Sequence, residues 1–246
     1  DSKRIFTLRN IHDAFKIKDY VDRMKPRRAV VVGAGFIGLE VAENLHLRDV
    51  KVTVVELADH VIGPLDYEMA AFVHQHMKTK NVEFYLKDGV EAFEDSDAWV
   101  NVKLSSGRTL KADMVIMGIG VKPESKIAKE AGLAIGKTGG ILVDEYMRTS
   151  NEDIYAVGDA VEIKDFVSGK EALIPLAGPA NKQGRIAANN IAGFNEKYGG
   201  TQGTSIVRVF DITVAVTGNN ERMLKRNGTE YEKSFTHSGS HAGYYP

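Results

Sequence analysis

Between Ala29 and Glu56 the chain reads AVVVGAGFIGLEVAENLHLRDVKVTVVE, and few folds accept that order of residues. The β-branched run Ala29 to Val32 is the pattern of a buried parallel strand. It breaks at Gly33-Ala34-Gly35, and apolar residues then recur at helical spacing through Ile37, Val41 and Leu45. A second strand, Val52 to Val55, ends on Glu56. Strand, G-x-G-x-x-G, helix, strand and an acid about twenty residues on form the dinucleotide fingerprint in the context that gives it meaning. Gly33 is expected to permit the tight turn and Gly35 to let the backbone approach a pyrophosphate. Gly38 is expected to let the helix pack closely on the strand. Ala34, Phe36 and Ile37 complete the turn and the first helical residues, whose free N–H groups and dipole favour phosphate. Glu56 is placed to accept hydrogen bonds from an adenosine ribose.

Composition narrows the class. The 246 residues are 43% hydrophobic and 26% charged, enough for two domains or parts of them. A formal net charge of −1 carries no electrostatic footprint for nucleic acid. No apolar run approaches the ~18 residues of a membrane span, and no signal-peptide pattern opens the sequence, so a cytoplasmic location is expected. There is no cysteine, which removes disulfides, thiolate chemistry and cysteine metal sites from this chain. The sequence starts on Asp1 and stops at Pro246 behind an aromatic cluster, and we expect a piece of a longer protein.

Along the chain, Ile5 to Leu8 is extended and Ile11 to Met24 helical, with Pro26 as the stop. After a loop with Gly63-Pro64, Asp66 is a plausible N-cap for a helix to about Lys80. His74 and His76 lie two apart on it, on different faces, and read as a solvated pair rather than a metal site. Val82 to Leu86 is a short strand. From Val90 to Leu110 the period becomes alternating, with Val100, Val102 and Leu104 on one face and a turn at Ser105 to Arg108. This predicts an antiparallel meander added to the parallel sheet. Met114 to Met117 is a buried strand, with Gly118 and Gly120 at its carboxyl end, where open α/β sheets bind ligands. A helix from Ser125 to Ala131 and a loop at Gly139-Gly140 follow. A strand from Ile154 to Val157 then runs into Gly158-Asp159, and Asp159 reads as a helix cap or as the holder of a second ligand's hydroxyl. Pro179 opens a helix that closes at Gly193. Ser205 to Val209 and Thr213 to Val216 begin a further antiparallel sheet, with a helical segment around Asn220 to Arg226.

Five blocks in this order, GAGFIGLE, GIGVKPE, TSNEDIYAVGD, PLAGPANKQGR and SHAGYYP, resemble the pyridine nucleotide–disulfide oxidoreductases. The likeness runs over essentially the whole chain, and within the family it is to the coenzyme A-disulfide reductase, NADH oxidase and persulfide reductase branch. The resemblance implies an α/β flavoenzyme with a Rossmann-type NAD domain inserted in a split FAD domain, followed by the start of an α+β dimerisation domain. By that implication residues 1–24 are a linker and helix of the FAD domain and 25–120 the NAD domain. Residues 121–202 are the C-terminal half of the FAD domain, and 203–246 begin the dimerisation domain. It further implies that Glu40 approaches the nicotinamide and that Gly120 lies beside the cofactor. Gly158 and Asp159 are assigned to FAD, the latter to the ribityl chain, and Leu176, Ala177 and Gly178 lie near the flavin ring. Asn181 falls where the family contacts coenzyme A, and Tyr244 or Tyr245 is implied to serve the active site of the other subunit of a homodimer. No metal is expected.

The family's first FAD fingerprint and its catalytic cysteine have no counterpart here. A disulfide is not reduced by thiolate exchange without a thiol. The expected parent is therefore an NADH-dependent FAD oxidoreductase acting on a disulfide or persulfide, such as coenzyme A disulfide, through an upstream cysteine, and the chain alone is expected to be inactive. Oxygen reduction by an NADH oxidase, or a dinucleotide-binding module without turnover, are the alternatives. NADH is expected over NADPH: Glu56 repels a 2′-phosphate, and Leu57, Ala58 and Asp59 supply no arginine to receive one.

Overall fold

The β-branched runs meet in one parallel sheet. The computed structural model describes residues 2–239 and 243–244. Its first half consists of β1 (Ile5–Thr7), α1 (Ile11–Met24), β2 (Arg28–Val32), α2 (Phe36–His46), β3 (Lys51–Val55), α3 (Tyr67–Thr79), β4 (Glu83–Tyr85), β5 (Val90–Asp95), β6 (Val100–Leu104), β7 (Thr109–Ala112) and β8 (Met114–Met117). The sheet order is β1-β8-β2-β3-β4, parallel throughout. Alternation in β2 sends Val31 to one face and Val30 with Val32 to the other. On the first face α1, α2 and α3 bury Ile17, Val21, Leu39, Leu45, Val73 and Met77. Asn10 starts α1 through a reciprocal capping box with Asp13, and Lys25, left-handed at φ 47°, ends it before Pro26. The segment 2–24 is thus tied to the nucleotide unit by β1 pairing with β8 and by the buried side of α1.

The meander β5-β6-β7 is a separate three-stranded antiparallel sheet, where the sequence had suggested an extension of the parallel one. Its apolar face, Val100, Val102 and Leu104, packs on Val30, Val32, Val55 and Val115, covering the face that the helices leave open. Packing face to face buries both surfaces, which edge pairing would not.

The second half holds α4 (Lys126–Glu130), β9 (Ile141–Leu142), β10 (Val161–Lys164), β11 (Glu171–Ala172), α5 (Ala177–Ile191), β12 (Ser205–Val209), β13 (Ile212–Val216) and α6 (Glu221–Asn227). The strand expected over Ile154 to Val157 reduces to one bridge between Arg148 and Tyr155. Its partner stretch is pinched between Met147, at φ 68°, and the Asn151–Asp153 turn, so no ladder can propagate. The hairpin β12-β13 lies against α2, burying Val207, Val209 and Phe210 in the helix-side core. The Phe210 N–H donates to Glu43 Oε2 at 2.8 Å.

The two histidines of α3 are not solvated, contrary to the sequence reading. His74 is buried, and its Nε2 accepts the Val61 N–H at 3.2 Å. Loss of hydration pushes its pKa below the ordinary histidine value, with His60 and Lys78 adding repulsion. His76 Nε2 accepts from the Asp211 N–H at the hairpin tip. Each face of α3 found a different partner, which spacing on one helix does not reveal. Among the described residues, no helix is long and apolar enough to cross a membrane.

Candidate dinucleotide-binding site

The turn after β2 is built from three glycines that touch one another. Gly33 has φ 99°, and a Cβ on it would overlap the Gly118 carbonyl at the end of β8. A Cβ on Gly38 would overlap the Gly33 carbonyl, and one on Gly118 would meet the Gly38 Cα at 3.5 Å. The tight contact of Gly38 is therefore with the preceding turn more than with the strand. Gly35, in contrast, has open space in front of its Cα. That is the vacancy a pyrophosphate needs, at the start of a helix whose first turn has no side-chain cap.

Glu56 is held by the same turn. Its Oε2 accepts the Ala34 N–H at 2.6 Å and its Oε1 accepts the Ala58 N–H at 2.8 Å. Each carboxylate oxygen keeps a further lone pair for ribose hydroxyls. The Ile62 N–H returns to the Ala34 carbonyl at 2.8 Å, so the loop 57–65 is folded back onto the fingerprint. Beneath it, both ring nitrogens of buried His60 face acceptors, Asp59 Oδ1 at 2.6 Å and the Leu65 carbonyl at 3.1 Å. The hydrogen bond from His60 holds the Asp59 carboxyl below its usual range.

These residues line a cavity of about 860 Å³, with Gly33 and Gly35 on one side, Glu56 to Ala58 at one end, and Gly118 to Gly120 on another. Its volume lies within the ~300–1,000 Å³ of small-molecule and cofactor sites. Ala34 is fully buried behind it and Phe36 packs on the core. Glu40 and Ile37 line a different groove, of about 370 Å³, between α1 and α2. Both are exposed there.

A second group gathers around the start of α5. Gly158 has φ 81° and opens a short 3-10 turn over Gly158–Ala160. Its N–H donates to Oε1 of buried Gln183 at 2.7 Å, which clamps the turn to α5. Asp159 is exposed within that turn, and its carboxylate makes no hydrogen bond or ion pair among the described residues. Leu176 precedes Ala177 and Gly178 at the opening of α5, where no side chain caps the first amides. An exposed carboxylate beside uncapped amides suits the hydroxyls and polar edge of a second cofactor. Asn181 donates from Nδ2 to the Ala177 carbonyl, one turn back, and is exposed. Tyr244 is 84% exposed, and Tyr245 lies outside the described residues.

Two features of the site escaped sequence reasoning. Asp66 stands at the N-cap position of α3, as expected, yet it does not cap the helix. Its Oδ1 accepts the Glu221 N–H of α6 at 2.8 Å. The neighbouring Arg222 lines the nucleotide cavity itself. No motif marks a residue more than 160 positions from Glu56, and only its place in the fold brings it in.

Residues 1–184 match the model of the pyridine nucleotide-disulphide oxidoreductase family. The chain is similar to the crystal structure of reduced Bacillus anthracis CoADR-RHD, with 53% identity, a TM-score of 0.95, and coverage of 100% of this chain and 44% of that one. It is also similar to an NAD-dependent persulfide reductase from A. fulgidus, with 43% identity, a TM-score of 0.89, and coverage of 93% and 42%. The NAD(P)H sulfur oxidoreductase (CoA-dependent) of Pyrococcus abyssi is 32% identical over 100% of this chain and 55% of its own length. The chain thus spans about half the length of the curated relative it matches. With its fingerprint and its glycine-lined cavity, the chain belongs to the pyridine nucleotide-disulphide oxidoreductase family.

Proposed function

We propose that this chain carries the NADH site and half of the FAD site of a flavoprotein that reduces a disulfide or persulfide, with coenzyme A disulfide as the model substrate. The observation that carries the reading is the cavity framed by the Gly33–Gly38 turn, the doubly anchored Glu56 and the Gly118–Gly120 loop. Glu56 orients the adenosine ribose, and the open space at Gly35 admits the pyrophosphate. That orientation sends the nicotinamide toward Gly118 and Gly120. Bound FAD supplies the hydride-accepting chemistry; the protein's part is to hold the two cofactors in register and keep water out. Residues 25–120 are the NAD domain, 121–202 the C-terminal flavin half with Asp159 and Leu176–Gly178 as its contacts, and 203–246 the start of a dimerisation domain. Residues 1–24 lead in from the flavin side. The reacting thiol is a cysteine outside this chain, since none is present within it. An NADH-consuming reductase works where NADH is made, in the cytoplasm.

The substrate side rests on Asn181 and on Tyr244 or Tyr245 in a homodimer with shared sites. Exposed Tyr244 fits a phenol reaching another subunit's site, where its hydroxyl protonates a departing thiolate. Anaerobic NADH oxidation by the full-length protein, with coenzyme A disulfide or a persulfide as acceptor, tests the assignment. Turnover is expected with one of these, and Tyr244→Phe or Tyr245→Phe lowers it while leaving flavin reduction by NADH unchanged. Turnover only in the presence of oxygen overturns it.

A further inference from the structure

The nucleotide cavity has five charged or titratable residues in its wall: Glu56, His60, Asp88, Glu91 and Arg222. Asp88 is engaged, since it accepts from Ser105 Oγ, Ser106 N–H and Ser106 Oγ at 2.7 to 3.0 Å. Glu56 is engaged on the Ala34 and Ala58 amides. Arg222 is the lone lysine or arginine of the lining, and it enters from α6, outside the Rossmann unit.

Three consecutive residues fasten α6 to the loop after β3. Asn220 Nδ2 donates to the Gly63 and Pro64 carbonyls at 3.1 Å, the Glu221 N–H donates to Asp66, and Arg222 Nη2 donates to the Gly63 carbonyl at 2.8 Å. Gly63 follows Ile62, whose N–H binds the Ala34 carbonyl, and the Ala34 N–H binds Glu56. Arg222 is thereby joined by three hydrogen bonds in series to the carboxylate read as receiving the adenosine ribose. Among the described residues its guanidinium makes that one hydrogen bond and no ion pair. Four N–H donors are left for a ligand. Gly63 keeps the place clear, because a Cβ there would stand 3.3 Å from Arg222 Nη2.

We propose that Arg222 is a coenzyme-selectivity residue that receives the 2′-phosphate of NADPH at the ribose end of the cavity. This rests on the reading of the cavity as a nicotinamide dinucleotide site. Glu56 disfavours the extra phosphate, and a guanidinium in the lining of the same cavity offsets that repulsion, so the chain binds both coenzymes with NADH ahead. Guanidinium suits the task because its fork matches phosphate oxygens. The local sequence after β3 holds no such residue, and selectivity is then set by how α6 docks.

Calorimetric titration of the full-length protein with 2′,5′-ADP and with 5′-AMP isolates this end of the site without turnover. In Arg222→Ala the ratio of the two dissociation constants shifts against 2′,5′-ADP by about tenfold or more, the worth of a charge-assisted hydrogen bond, while 5′-AMP moves by less than about twofold. Arg222→Lys shifts the ratio less, as it keeps the charge without the fork. The position is an exposed helical one, so alanine keeps the fold. An unmoved ratio, or equal weakening of both ligands, overturns the proposal and makes Arg222 a prop for the 63–66 loop. If the parent protein binds neither ligand, the dinucleotide reading itself falls.

Discussion

The parallel sheet is covered on both faces, with Ile17, Val21, Val207, Val209 and Phe210 joining its core from outside Arg28 to Met117, whereas the clustered core of the stretch from Val121 to Gly200 is centred on Met147, Ile186 and Ala187. In the nucleotide unit both faces of the central sheet are covered, by helices on one side and by the β5-β6-β7 sheet on the other. The later stretch leaves Val121, Ile127, Phe166, Val167, Ile191 and Phe194 about half exposed or more. The cavity read as the nucleotide site is lined by Val32 to Gly120 together with Arg222 of α6, and the proposed flavin site is one half of a site that the other half of the flavin domain completes. A site of the first kind tolerates isolation, and a site of the second kind does not.

The largest expected effect separates the two sites outright. The 246-residue chain purified alone retains NADH binding, read by quenching or enhancement of nicotinamide fluorescence, and carries no yellow flavin. Stoichiometric flavin absorbance in that preparation breaks the comparison, because one half would then suffice.

Glycine substitutions give the next contrast. Gly33→Ala places a Cβ on the Gly118 carbonyl at a positive φ and costs about 3 kcal/mol of stability, with loss of NADH binding. Gly184→Ala, inside α5 with nothing within 4 Å of the new methyl, stabilises by up to about 1 kcal/mol. Denaturant midpoints of the two variants are expected to move in opposite directions. Movement in the same direction removes the distinction between a close-packed and an open glycine.

The two acids divide in a similar way. Glu56→Ala strips two backbone amides of their acceptor and costs about 2 kcal/mol in addition to weakening NADH. Asp159→Ala changes stability by less than about 0.5 kcal/mol, since its carboxylate makes no hydrogen bond or ion pair among the described residues, yet lowers flavin retention in the full-length protein. Thermal melts set beside cofactor content sharpen the comparison.

The smallest effect concerns pH. His74 is buried as a neutral acceptor, and its folded pKa lies below the unfolded value of about 6.5. The unfolded chain therefore binds more protons below that pH. Stability from this group is fully present above about 6.5 and is lost as pH falls toward the folded pKa. His74→Gln, which keeps an acceptor for the Val61 N–H, is expected to flatten the fall in melting temperature between neutral and mildly acid pH. An unchanged slope assigns the fall to other groups.

Much of this was legible from local pattern. The strand–glycine–helix–strand–acid order predicted β2, α2 and β3, because each signal acts within a few residues. The alternation of Val100, Val102 and Leu104 likewise announced β6 and its buried face, and Asn220 announced the start of α6, where its side chain accepts the Met223 N–H. Local pattern was silent or misleading where the deciding partner was remote. Ile154 to Val157 has the composition of a strand and lacks a partner long enough to pair with. His74 and His76 look like surface residues until the loop after β3 and the hairpin cover them.

The sequence alone determined that a Rossmann unit forms, where its glycine turn lies and which acid ends the second strand, since those depend on backbone freedom and side-chain period over short spans. It also marked the glycine–acid turn at Gly158-Asp159. Only the tertiary structure decided that Glu56 is braced by the Ala34 and Ala58 amides, that Gly33 must stay without a Cβ because the Gly118 carbonyl sits against it, and that Asp66 serves α6 rather than α3. The entry of Arg222 into the nucleotide cavity belongs with these. Each depends on which distant backbone carbonyl, amide or side chain arrives at a given point, and that is set by how helices and sheets pack.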